Sequence, residues 1–146
     1  NLSKLLHYQT KMYKSGGGKL FISKLLYKFI RWYYHCDIPY QVDTKGVYFC
    51  HKAFGVVINP GAKIGYGTYI QHGVTIGERD DIENHKAPVI GKNVYVGAHA
   101  MIIGDITVGD NAKIGAGAVV LKDVPAGTTA VGIPAHILTT KPKIND

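Results

Sequence analysis

From Ile58 to Val120 a large aliphatic residue returns every six positions. The series is Ile58, Ile64, Ile70, Ile76, then Ile90, Val96, Ile102, Val108, Ile114 and Val120. Glycine follows directly in six of these ten units, at Gly65, Gly77, Gly91, Gly97, Gly109 and Gly115. Four residues after the aliphatic the side chain is mostly small or β-branched, as at Ala62, Thr68, Val74, Val94, Ala100, Ala112 and Ala118. A period of six matches neither the 3.6 of a helix nor the alternation of a lone strand. It matches a parallel β-helix, in which one hexapeptide makes one short face of a coil and three complete a turn. Such a coil cannot bury its apolar rung alone, so neighbours must cover it. Each covered rung contributes about 1.5–3 kcal/mol. The glycines suit corners, where a positive φ or a close backbone approach excludes a Cβ.

The rhythm breaks once. Between Ile76 and Ile90 the chain inserts a charged stretch without apolar period, roughly Glu78 to Pro88, which carries His85 and Lys86. A loop that leaves a regular stack costs it little and reaches outward, which suits binding. Three segments follow: a basic helical preface over 1–35, repeats over 36–124 with an inserted loop at about 78–88, and a C-terminal cap and tail over 125–146. No run is long enough to span a bilayer and no secretory leader is expected. Cys36 and Cys50 show neither metal spacing nor a disulfide framework, so a reducing, cytoplasmic setting is the default.

The net charge of +7 is uneven. Residues 1–35 hold Lys4, Lys11, Lys14, Lys19, Lys24, Lys28 and Arg31 and no acidic residue, while the rest of the chain balances. This preface reads as two helices split by Ser15-Gly16-Gly17-Gly18. In the second, Phe21, Leu25, Phe29 and Trp32 share one face, with Ile22, Leu26, Ile30 and Tyr33 beside them. That face is expected to pack on the repeats or on a neighbouring subunit; the alternative is contact with an anionic membrane surface or a lipid-linked substrate. Nucleic acid is not expected, because no recognition motif accompanies the charge.

The segments VIGKNVYVGAHAMIIGDITVGDNAKIG and KIGAGAVVLKDVPAGTTAVGIPAHIL resemble the closing coils of the hexapeptide-repeat acyltransferases, which use acetyl-coenzyme A. Within that superfamily the chain is most similar to serine O-acetyltransferases over about residues 36–138. Asp37-Ile38-Pro39 followed by Cys50-His51-Lys52-Ala53-Phe54-Gly55-Val56-Val57-Ile58 resembles that family's Asp-Ile-His-Pro segment and its later Asp-His-x-x-Gly-Ile-Val, with a one-residue deletion between the two parts. The resemblance implies a mainly β fold, a left-handed parallel β-helix behind a short helical segment. It also implies a homotrimer with sites in the grooves between subunits, and acetyl-coenzyme A as co-substrate with no tightly bound cofactor.

The chemistry asks for few groups. An acceptor hydroxyl needs a general base as it attacks the thioester carbonyl, and imidazole, with a reference pKa of about 6.5, suits that task near neutral pH. A carboxylate on the far ring nitrogen would orient it. By resemblance His51 is the base and Asp37 its partner. Cys50 stands where the family has the aspartate that helps hold the serine amino group. Lys86-Ala87 stands where it has Arg-His before the proline, and lysine lacks the bidentate fork that grips a carboxylate. This pattern is more like relatives that acetylate sugar hydroxyls, with Cys50, His72, His85 and Lys86 as candidate acceptor contacts. Coenzyme A is expected along the coils, against Gly97, Ala98, Gly115 and Ala116, with Lys122 near its phosphates. No metal site is expected. Three functions follow: an O-acetyltransferase acting on a sugar of a surface polysaccharide, a serine O-acetyltransferase of cysteine synthesis, and a non-catalytic β-helix scaffold.

Overall fold

The structure is a computed structural model and describes residues 2–79 and 86–138. Two helices precede the repeats: α1 (Leu2–Ser15) and α2 (Gly18–Tyr34). Gly16 and Gly17, at φ 64° and 56°, supply the left-handed turn between them, which side chains disfavour. Leu2 and Leu6 are buried from α1, Ser23 and Ile30 from α2. The Ser23 hydroxyl donates to the Gln9 carbonyl and ties the two together.

The repeats wind into three parallel sheets. One contains β1 (Tyr48–Phe49), β4 (Tyr69–Ile70), β7 (Tyr95–Val96), β10 (Lys113–Ile114) and β12 (Thr129–Val131). The second contains β2 (Val57–Ile58), β5 (Thr75–Gly77), β8 (Met101–Ile103) and β11 (Val119–Val120). The third contains β3 (Lys63–Ile64), β6 (Val89–Ile90) and β9 (Thr107–Val108). Each strand therefore pairs with the strand one turn away. The antiparallel hairpin partner β13 (His136–Ile137) closes the first sheet on β12.

The register stacks like on like: Ile58 on Ile76, Ile76 on Ile102, and Ile102 on Val120. The inward residue of nearly every strand is buried, while the residue before it faces solvent. Among the parallel strands Phe49 and Ile64 are the exceptions and are half-buried. The small second position fills the corners of the core, from Ala62 to Ala118. Thr68 is the polar member of that set. Its hydroxyl donates to the Gly91 carbonyl and accepts from the Val94 amide, so its burial leaves no orphan.

Of the apolar surface expected to pack inward from α2, only one edge does so. Ile30 is buried and Leu26 packs against the core, with Ser23 buried beside them, whereas Phe21, Ile22, Leu25, Phe29, Trp32 and Tyr33 are exposed. Polar contacts on the other side of α2 fix its orientation: the Tyr27 hydroxyl donates to Asp37 and Arg31 lies 3.4 Å from it. From α1, Gln9 Nε2 donates to the Ile38 carbonyl, Thr10 to the Val42 carbonyl, and Lys14 pairs with Asp43. The Lys14 ammonium holds the Asp43 carboxyl below its ordinary range.

Ile102 is fully buried in the middle of an inner column, and its neighbour Met101 is 41% exposed. Ile102→Ala is expected to destabilise the fold by about 2–5 kcal/mol in urea unfolding. Met101→Ala is expected to stay within about 0.5 kcal/mol.

Candidate active site

The path from β1 to β2 is longer than a hexapeptide, and the excess is taken up in one distorted corner. A 3₁₀ turn spans Cys50–Ala53. His51, Lys52 and Ala53 all sit at positive φ, 48°, 55° and 57°. Left-handed backbone in non-glycine residues costs of order 1–3 kcal/mol each and persists only where its surroundings over-determine it. Here the Phe54 amide donates to the His51 carbonyl, Gly55 to His35, and Gly73 to Phe54. Buried Ala53 plugs the core beneath. The corner presents the His51 side chain to solvent.

His51 does not stand alone. Its ring meets His72 edge to face at 5.0 Å, and His72 meets His99 in the same way at 4.9 Å. Three imidazoles thus form a column up one corner, one from each coil. His99 sits at φ 57°, and its ring occupies the space that a Cβ on Gly73 would need, 2.2 Å away. His72 Nδ1 is buried without a hydrogen-bond partner. The His51 ring packs edge to face on that of His72.

Asp37 lies elsewhere in the chain's own contacts. It joins the second sheet beside Val57, donating its amide to Val56. One carboxylate oxygen accepts from the Tyr27 hydroxyl and the other is 3.4 Å from Arg31. Among the described residues no hydrogen bond joins Asp37 to His51; the carboxylate is engaged by Tyr27 and Arg31 of α2. Burial, reinforced by the adjoining Asp37 carboxylate, pushes the Tyr27 hydroxyl above its ordinary range. Tyr27, Asp37, Val57, Asn59 and Thr75 line a cleft of ≈ 300 Å³.

The remaining candidates divide. Cys50 is half-buried at the start of the distorted corner, next to His51. Lys86 pairs with Asp105 at 3.1 Å, which holds the end of the inserted loop against the next coil. His85 lies outside the described residues. Gly97 and Gly115 spend their amides on the Ile114 and Ala130 carbonyls, so neither N–H is free for a ligand. A Cβ on Gly97 would lie 2.5 Å from the Ala116 amide, which makes it a close-approach glycine between coils. Ala98 is half-buried, and Ala116 and Lys122 are exposed. Among the described residues no group of three or more His, Cys, Asp or Glu is placed to hold a metal ion. The sequence does not single out His99 or Tyr27, and it presents Arg31 only as part of the basic preface and not as a partner of Asp37. Their positions depend on which corner stacks on which, and on how the helices lie, and the period carries neither.

The two cysteines should separate chemically. Burial pushes the Cys36 thiol up to about 11, and only the thiolate reacts. Iodoacetamide at mild alkaline pH is expected to label Cys50 in the native protein and to spare Cys36 until unfolding, as read by peptide mass mapping.

Residues 87–122 match the family model for the bacterial transferase hexapeptide (six repeats). The chain is 40% identical over 120 residues to the serine acetyltransferase of Helicobacter pylori strain J99, spanning 82% of this chain and 70% of that protein. It is 37% identical over 88 residues to an Escherichia coli K12 protein described provisionally as the colanic acid biosynthesis acetyltransferase WcaB, spanning 58% of this chain and 52% of that one. Among solved structures it superposes on serine acetyltransferase in complex with coenzyme A from Brucella abortus strain S19, with a TM-score of 0.84 and 32% identity over 92% of this chain and 53% of that one. The chain spans only 26% and 31% of two plant serine acetyltransferases that it also matches.

Proposed function

The chain belongs to the serine acetyltransferase family of hexapeptide-repeat transferases, and on that premise we propose that it moves an acetyl group from acetyl-coenzyme A to an acceptor hydroxyl. The observation that carries this reading is the exposed His51 imidazole, held on a strained corner at the foot of a ring column. His51 takes the proton of the acceptor hydroxyl as its oxygen attacks the thioester carbonyl. The tetrahedral intermediate collapses, the C–S bond breaks, and the coenzyme A thiolate recovers the proton from His51. A positioned base of this kind contributes about 10²–10⁴-fold.

The donor reading draws support from the coenzyme A complex of the Brucella neighbour. Gly97, Ala98, Gly115 and Ala116 would form a wall without bulky side chains along the bound pantetheine arm, and Lys122 would offer a cation to the phosphates. Family membership also supports a left-handed coil and a trimer with its sites between subunits.

For the acceptor, the substitutions beside the base favour a sugar hydroxyl of a surface polysaccharide. Cys50 offers a thiol where the family has a carboxylate for the amino group, and Lys86, which pairs with Asp105 in this structure, lacks the bidentate fork that grips a carboxylate. The colanic acid relative is consistent with that class. Serine is the second reading, favoured by the longer alignment to the Helicobacter enzyme.

His51→Ala is expected to lower kcat by about 10²–10⁴-fold while leaving the unfolding transition in place; unchanged turnover would remove His51 as the base. The acceptor is tested by coenzyme A thiol release in a panel of serine, free sugars and oligosaccharides. Turnover on saccharides with none on serine supports the first reading, and the reverse supports the second.

A further inference from the structure

Among the described residues the outer face of α2 is left uncovered. Phe21 and Trp32 are 71% and 73% exposed, and Ile22, Leu25, Phe29 and Tyr33 are exposed with them. At intervals of three and four these residues fall on one stripe along the helix. A contiguous apolar patch of this size marks an interaction surface in most proteins that carry one. Lys24 and Lys28 follow each other one turn apart on its border. Among the described residues neither makes a salt bridge, whereas Arg31 and Lys14 are paired inward with Asp37 and Asp43.

Charge decides what covers the stripe. Residues 1–35 carry seven Lys and Arg side chains and no Asp or Glu. A second copy docked stripe to stripe would bring together Lys24 and Lys28 of each copy, with no acidic residue of either preface to offset them. An anionic lipid surface offers the complement: headgroups for the lysines and an apolar boundary for the aromatic and aliphatic stripe. Among the described residues no helix is long and apolar enough to cross a membrane, so a helix lying in the plane of the surface is the geometry left.

We infer that α2 docks the protein on an anionic membrane surface, with Phe21, Leu25, Phe29 and Trp32 reaching below the headgroups and Lys24 and Lys28 resting on them. This goes beyond the proposed activity and holds whichever acceptor is used.

The chain has a single tryptophan, Trp32, and it lies in the stripe. Its emission therefore reports docking directly. The full chain is titrated with vesicles of phosphatidylglycerol and phosphatidylcholine, and with vesicles of phosphatidylcholine alone. A blue shift and co-sedimentation are expected with the anionic vesicles, weakening as salt is raised. Lys24→Glu with Lys28→Glu is expected to weaken partitioning by about tenfold or more, with turnover on a soluble acceptor unchanged. The salt titration of the unaltered chain tests the same claim without a variant. Equal partitioning into neutral vesicles, or no shift with either, would overturn the inference. So would a blue shift that grows with protein concentration in the absence of lipid and is abolished by Leu25→Glu, since a second copy would then be the cover.

Discussion

Every strand of the coil pairs in register with the strand one turn away, and the rest of the structure follows from that parallel stacking. An inward position can only face its own equivalents, so the interior sorts into columns such as Ile58, Ile76, Ile102 and Val120. The rule applies outside the core as well. Tyr48, Tyr69 and Tyr95 fall into one outward column, and the first two stack at 4.7 Å. The corner column of His51, His72 and His99 is the same rule applied to a turn. A catalytic side chain in such a fold inherits neighbours from coils far away in sequence, without any loop being built to bring them.

Stacking also sets what a corner can hold. The left-handed positions recur three residues after the inward aliphatic, at Gly67, Gly73, Asn93, His99, Asn111 and Gly117. Asparagine and histidine are among the residues that tolerate this region. Gly73 must remain free of a side chain, because the His99 ring fills that space. The glycines directly after the aliphatics serve a different purpose. Gly65, Gly91 and Gly97 have no positive φ, but a Cβ at each would strike the backbone of the next coil. Two glycine classes that look alike in sequence therefore answer separate constraints, one torsional and one of packing.

The six-residue period was sufficient to read the parallel coils and their buried rungs, because burial in a stack depends only on the register. It was insufficient for the site. Phe49 stacks under Ile70, yet it precedes Ile58 by nine residues rather than six. The corner that carries His51 therefore falls outside the rhythm, and its ring contacts with His72 and His99 follow from pairing that the period does not number. Asp37 is a similar case. Its place beside Val57 continues the second sheet, but the Tyr27 and Arg31 contacts depend on how α2 lies. Helix periodicity gathered Phe21, Leu25, Phe29 and Trp32 of α2 on one face, with Ile30 and Leu26 toward the core. It could not say which side of the helix would turn toward the coils, because polar contacts decided that.

Those polar contacts link the preface to the chemistry. Gln9, Thr10 and Lys14 of α1 and Tyr27 and Arg31 of α2 all bind the segment Asp37–Asp43 that enters the coil. Gln9 is itself held by Ser23 through its carbonyl. With five side chains from two helices fastened to one strand entry, rotating α2 to bury its aromatic stripe would break the Tyr27 and Arg31 contacts with Asp37. A carboxylate left partly buried without them would carry a desolvation cost of about 1–3 kcal/mol or more. The exposed stripe and the occupied Asp37 are thus two sides of one arrangement. The helix presents its apolar stripe outward because Tyr27 and Arg31 on its other side are anchored to Asp37 at the entry of the coil.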